Sequence, residues 1–266
     1  MATSRTDIAY EQRDAVGILT INRPEVLNAF RPSTYRELLE ILEETGEDET
    51  IRALVITGTG RAFCAGEDLK SLESELNGAM GSEAAAGLLA TLQEITRTIV
   101  HHPKTIIAAV NGIAVGFGAE LSIACDMRVA ADTARFGFPE SKRSLVITNG
   151  AMFLLPRIVG WGRAREWMLT SDMISAETAR EAGLVNRVVP SDQLIDSALE
   201  LATTIANNAP ISIRIHRKIL NRSYDLDLEA VMRLEVEGCV ECLASADVQE
   251  GVRSFIERRP PVYRGV

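Results

Sequence analysis

Apolar residues along the chain gather in short runs before they settle into helical stripes. Four runs stand out: "AVGILTINRP" (15–24), "RALVITGTG" (52–60), "TIIAAVNG" (105–112) and "DMRVAAD" (126–132). Their length and β-branched content predict strands, and helical patterns follow three of them. The last three runs are nearly continuous in apolar residues, which suits strands covered on both faces. Strands alternating with helices make the fold class α/β. After Pro190 the β signal fades. Helical periodicity runs from "SDQLIDSALELATTIANNAP" through "DLDLEAVMRLEVEGCVECLAS", predicting a helical C-terminal part from about 195.

Residues 105–125 are oily enough to suggest a membrane span, but Gly112, Gly116, Gly118, Asn111 and Glu120 interrupt them. No second hydrophobic stretch is present to bury the Glu120 carboxylate in a bundle, so no membrane association is expected. With 266 residues the chain can bury a substantial core without staples. Cys64, Cys125, Cys239 and Cys242 form no disulfide framework, and "MATSRTDIAYEQRD" has no charged-then-apolar leader, so a reduced, cytoplasmic setting is expected. Cys239 and Cys242 lie three apart on the apolar side of the late helix with Leu228, Val231 and Val236. Lacking a second ligand pair or a nearby His, they read as helix packing rather than a metal or redox pair. The net charge of −9 and the want of a basic, aromatic-interleaved tract argue against nucleic-acid binding. An anionic ligand would need a local basic patch.

Two predicted strands end in glycine-containing loops that lead into helices, "VITGTGRAFCAGEDLKSL" and "AAVNGIAVGFGAELSIACD". Gly66 and Gly116 to Gly118 leave the main chain uncovered, so a ligand can approach the amides of Glu67 and Phe117. The second amide sits at a helix N-terminus, where partial positive charge favours a developing oxyanion. Either loop alone reads as a tight turn, whereas two together point to a site. Neither carries the phosphate-loop ending or the dinucleotide glycine spacing. Glu120 falls in the first turn of a helix beginning near Gly118, where a carboxylate is a common dipole partner. Its neighbours Ala119, Leu121, Ile123 and Ala124 leave it little water, and burial raises a carboxyl pKa toward the range useful for proton transfer. Glu140, in "RFGFPESKRS", is a second candidate. Two carboxyls brought close cannot both ionise easily, so one can serve as base and the other as acid.

These stretches, together with "NRPEVLNAF", "ARFGFPE", "ISAETAREAGLVNRVVP", "NAPISIRIHRKIL" and "FIERRPPVYRG", resemble the crotonase superfamily, the enoyl-CoA hydratase/isomerase family, over nearly the whole chain. The resemblance implies a crotonase-like spiral of ββα turns over 1–194 that holds an acyl-CoA site. It also implies a helical region over 195–266 that assembles a homotrimer or a dimer of trimers. It further implies a thioester substrate, coenzyme A entering only as part of that substrate, and no permanently bound cofactor or metal. By position, the Glu67 and Phe117 amides match the oxyanion hole, and Glu120 and Glu140 match the catalytic glutamates of 2-enoyl-CoA hydratases. Leu27, Ala65, Asp68, Leu69 and Lys70 match CoA-contacting positions, Gly116 lines the same loop, and Arg258 matches a basic tail residue that reaches a CoA phosphate.

Two positions depart from the family pattern. Many hydratases have a small residue in place of Glu67; the amide survives that change, but the acyl pocket gains a carboxylate or loses room. Where the family has a glycine-rich run after the second glutamate, this chain has "VITNGAM", leaving Thr148 where a glycine amide helps hold water. The dehalogenase branch needs an aspartate at Thr148, and the diketone hydrolases use histidines, whereas His101, His102 and His216 lie outside the motifs. The expected activity is hydration of a 2-enoyl-CoA. A Δ3-Δ2 enoyl-CoA isomerase, a specialised hydratase-lyase and a non-catalytic acyl-CoA-binding protein are the alternatives.

Overall fold

The computed structural model describes residues 5–68 and 82–266, and all four predicted runs are strands. Ile8–Arg13 (β1) and Arg187–Val189 (β10) edge a six-stranded sheet. Its inner strands are Val16–Ile21 (β2), Ala53–Gly58 (β3), Thr105–Val110 (β5) and Met127–Ala131 (β7), in the order β1-β2-β3-β5-β7-β10. β1 runs antiparallel to β2, and every other neighbouring pair is parallel. In the centre Val55 pairs with Ile18 on one side and Ile107 on the other. β5 is buried throughout and β3 everywhere except Gly58, as their unbroken apolar runs require.

A second sheet was not visible in the hydrophobic pattern. Ala62–Cys64 (β4), Ile113–Val115 (β6), Arg135–Gly137 (β8) and Ile174–Ser175 (β9) form it in the order β4-β6-β8-β9, the first three parallel. Strands of two or three residues are too short for alternation to register. β4, β6 and β8 each follow a strand of the larger sheet after a tight turn, and a helix then returns the chain. The helices of the central units are Ser82–His101 (α2) after β4 and Phe117–Ala124 (α3) after β6. Ala151–Val159 (α4) follows β8 by way of a 3₁₀ turn at Glu140–Arg143. The repeated unit is therefore strand, strand, helix. Pro32–Glu47 (α1) follows β2, with Pro32 at its first position and Leu38, Ile41 and Leu42 buried at helical spacing.

Trp161–Thr170 (α5) and Ala176–Glu181 (α6) precede β10. The C-terminal segment opens with Leu194–Ala206 (α7), whose Ala198, Ala202 and Ala206 are buried and which packs on β3, β5 and β7. The first of the late helices thus covers the main sheet. Pro210–Ser223 (α8) is pinned to the same core by a buried guanidinium. Arg217 Nε donates to both oxygens of Asp126, at 2.7 and 2.8 Å, and the other nitrogens bond the carbonyls of Ile99 and His102. Leu228–Leu243 (α9) and Ala246–Glu257 (α10) reach outward, with Leu228, Val236, Val240, Val252, Phe255 and Ile256 exposed. Cys239 is exposed and Cys242 half-buried on this outer pair. No described helix is long and apolar enough to cross a membrane.

Candidate active site

The two glycine loops lie side by side because two asparagines stitch the turn between β3 and β4. Asn28 is fully buried, and its Nδ2 donates to the carbonyls of Thr59 and Ala62 at 3.0 and 2.7 Å. Asn111, from the end of β5, donates to the carbonyls of Gly60 and Ala62 and accepts the Gly58 N–H. Both side chains replace backbone partners that a tight turn lacks. The chain then runs through β4 into Gly66, at φ +97°, while the second loop turns at Gly116, at φ +56°. A Cβ on Gly66 would stand 3.0 Å from the Val115 carbonyl, and one on Gly116 would stand 3.8 Å from the Gly66 Cα. The left-handed backbone demands glycine at both positions, and at Gly66 the close Val115 carbonyl adds to that demand.

Phe30 N–H donates to the Gly66 carbonyl, and Asp68 N–H donates to the Phe30 carbonyl, both at 2.8 Å. In that parallel bridge the Glu67 N–H points away from Phe30. The Phe117 amide opens α3, with Gly116 as its N-cap. The helix thus begins one residue earlier than expected from Gly118. The Phe117 ring is locked against Phe30 and Tyr35, at centroid distances of 4.9 and 5.0 Å. At the far end of α3 the buried Arg128 guanidinium caps the carbonyls of Ser122 and Cys125 at 3.0 and 2.8 Å, leaving the N-terminal amides as the helix's open end.

Glu120 is in the first turn of α3 and only 3% exposed. Its carboxylate accepts the Asn149 backbone N–H on Oε1 at 2.9 Å and the Asn149 side-chain Nδ2 on Oε2 at 2.7 Å. Burial raises its pKa, while hydrogen bonds from Asn149 and the Thr148 backbone pull the other way. Glu140 comes from the 3₁₀ turn after β8, and its Oε1 lies 3.2 Å from where a Cβ on Gly116 would stand. Its pKa is pushed up to about 7 by burial first, with the charges of Glu120 and Glu67 adding to the rise. Among the described residues, Glu140 Oε2 is buried without a hydrogen-bond partner. Burial pushes both carboxyls up, but the donors of Asn149 and the Thr148 backbone oppose the rise at Glu120, whereas neighbouring carboxylates add to it at Glu140.

The remaining expected positions are spread around this centre. Leu27 and Ala65 meet, the Ala65 N–H donating to the Leu27 carbonyl at 3.0 Å. Asp68 forms an ion pair at 3.2 Å with Arg23 Nη2. Thr148 places its carbonyl against Gln93 Nε2 at 3.0 Å and turns its own N–H toward Glu120. Arg258 ends α10 in the left-handed region and is exposed. Leu69 and Lys70 lie outside the described residues. Asn149 and Tyr35 were not foreseen. Asn149 follows Thr148 in a stretch read only for its missing glycines. Tyr35 sits among the helical apolar positions of α1; among the described residues its buried hydroxyl has no hydrogen-bond partner, and burial, then Glu67, raises its pKa.

Two glycine loops in contact, with Glu140 against one of them and the buried Glu120 in the helix that follows, make a candidate site for proton transfer. A family model described as Enoyl-CoA hydratase/isomerase matches residues 11–266, and the chain belongs to that family. It is 34% identical to the short-chain-enoyl-CoA hydratase of Clostridium acetobutylicum, over 95% of each chain. It is 35% identical to the 1,2-epoxyphenylacetyl-CoA isomerase of Escherichia coli, over 93% of this chain and 94% of that one. The crystal structure of enoyl-CoA hydratase from Bacillus anthracis superposes with a TM-score of 0.94 at 34% identity, covering 98% of this chain and 100% of that one. The fold is accordingly the crotonase fold, and the chain is an enzyme of a family that acts on CoA thioesters.

Proposed function

We propose that the chain hydrates a trans-2-enoyl-CoA. The observation that carries this reading is the split between Glu120, gripped by hydrogen-bond donors, and Glu140, buried with a bare oxygen and a pKa near 7. The thioester oxygen accepts the Glu67 and Phe117 amides. Glu120 takes a proton from water as its oxygen bonds to C3, the double-bond electrons move toward the thioester oxygen, and Glu140 delivers a proton to C2. A proton passing from Glu120 back to Glu140 restores the starting state. Losing one oxyanion donor typically costs about 3 kcal/mol, and positioned acid-base groups add roughly a hundred- to ten-thousandfold, so neither half suffices alone.

Leu27, Ala65, Asp68, Leu69, Lys70 and Gly116 are proposed to line the CoA path, with Thr148 beside the water and Arg258 toward a CoA phosphate. The test is turnover of crotonyl-CoA and longer 2-enoyl-CoAs, followed at the thioester absorbance. No turnover at any chain length overturns the reading. If Glu140→Gln spares conversion of 3-enoyl to 2-enoyl thioesters while hydration is absent in both proteins, the one-carboxylate isomerase takes its place.

A further inference from the structure

Glu120 owes its orientation to a segment 29 residues away. The peptide unit joining Thr148 and Asn149 has its carbonyl pulled by Gln93 Nε2 of α2 at 3.0 Å. In a trans peptide the N–H points opposite to the carbonyl, so this bond aims the Asn149 N–H at Glu120 Oε1. The next carbonyl, that of Asn149, accepts Thr96 Oγ1 from one turn further along α2, at 3.0 Å. With its backbone tethered at both carbonyls, Asn149 swings its side chain onto the same carboxylate and closes a two-point grip. Asn149 is 2% exposed, and among the described residues its Oδ1 is buried without a hydrogen-bond partner. An amide turned by half a rotation would instead present that oxygen to a carboxylate that can only accept. The orientation that leaves Oδ1 bare is therefore the one an ionised Glu120 imposes.

We propose that Asn149 is the positioning residue of Glu120: its backbone and side-chain N–H groups fix the carboxylate in one orientation and keep it ionised for its work as base. The proposal rests on the hydration reading only for calling Glu120 the base. The other titratable groups around Glu120 are few. Tyr35 comes from α1, Cys64 from β4, Glu67 from the first loop and Glu140 from the 3₁₀ turn. On α2, Glu94 and Arg97 pair with each other at the surface, and on α4 Arg157 pairs with Asp225. Arg128 caps the opposite end of α3. None of these donates to Glu120 among the described bonds, so the Asn149 side chain is the removable part of the grip.

Asn149→Ala keeps the backbone bond and deletes the side-chain bond, while Asn149→Asp keeps the shape but replaces the donor with an acceptor. A hydrogen bond to a charged group of this kind corresponds to a loss of roughly ten- to hundredfold in kcat for Ala. The expected order of kcat is wild type, then Ala, then Asp, with KM within about twofold of wild type for each. The acidic limb of the kcat profile should move up by about one pH unit in Ala. A packing role predicts the reverse order, because Asp fills the site and Ala does not. Equal kcat values, KM rising in step with the loss of kcat, or an unmoved acidic limb each overturn the proposal. A measurement independent of turnover is the infrared carboxyl band of Glu120, titrated in a Glu140→Gln background with Asn or Ala at 149. A higher midpoint with Ala supports the proposal even if the chain hydrates no enoyl-CoA, and an unchanged midpoint overturns it even if hydration is confirmed.

Discussion

Glu140→Gln should stabilise the protein in alkaline solution while removing its hydration activity. Glu140 is half-buried, and its folded-state pKa of about 7 stands above the ordinary 4.5. Between those values the folded chain holds a proton that the unfolded chain has released. The stability linked to this group is complete below 4.5 and is lost as pH rises through about 7. At 1.36 kcal/mol per pH unit the ceiling is roughly 3.4 kcal/mol. Solvent screening at a half-buried carboxyl reduces this to about 1–2 kcal/mol. Glutamine resembles the protonated acid at every pH and escapes the loss. Differential scanning calorimetry should show near-equal Tm values at about pH 5. Near pH 8.5 the variant should melt higher by about 2–8 °C, given the usual entropy of unfolding for a chain of this size. Groups common to both proteins cancel in the difference. A Tm gap that does not change between the two pH values refutes the burial argument for Glu140. The same variant should lose about a hundred- to ten-thousandfold in hydration, and wild-type activity should fall as pH rises through about 7, where the acid is lost.

Further outcomes follow from other parts of the fold. Asp7 accepts Arg31 through two bonds of 2.8 Å, Ser33 at 3.1 Å and Thr34 at 2.6 Å, which hold it well below the usual carboxylate range. Asp7→Asn should cost roughly 3 kcal/mol in urea titrations at neutral pH. The gap should close as pH falls below 3.8 toward the depressed folded value, because wild-type Asp7 is then protonated as well. Gly118→Ala would set a Cβ 2.1 Å from the Cys64 carbonyl, so a loss of about 2–4 kcal/mol is expected. Gly162→Ala in α5 meets nothing within 4 Å and should gain up to about 1 kcal/mol. Arg258→Glu should raise KM for CoA thioesters more than for pantetheine thioesters, and equal effects would remove Arg258 from the phosphate. The exposed apolar residues of α9 and α10 should be covered by other copies. Light scattering at micromolar concentration should then give three or six times the chain mass, and a monomer mass would refute this.

What the sequence made legible divides along a physical line. Long apolar runs announced β2, β3, β5 and β7 because a strand covered on both faces favours apolar residues and holds a polar one only where it is paired, as carbonyls hold Arg128 in β7. The second sheet stayed hidden because its strands are at most three residues long, and three of them owe their existence to the first sheet's turns. The outer helices were visible by their periodicity, which left open whether an apolar stripe meets the core. Arg217 settles that for α8 by a buried ion pair to Asp126, 91 residues earlier, a pairing that no local pattern encodes.

The site follows the same division. Gly66, Gly116 and Glu120 could be read locally, since a bare backbone and a carboxylate among apolar neighbours are facts about adjacent residues. What gives the two glutamates different chemistry is not local. α2 holds the backbone at 148 and 149, so that Asn149 reaches Glu120, while among the described residues no donor reaches Glu140 Oε2. Identical side chains therefore acquire different proton affinities from what is delivered to them across the fold. Exchanging Glu for Gln at each position should accordingly give unequal results: at 140 it removes a burdensome ionisation, whereas at 120 it leaves one oxygen to accept and places an amide NH2 against the other of Asn149's two donors.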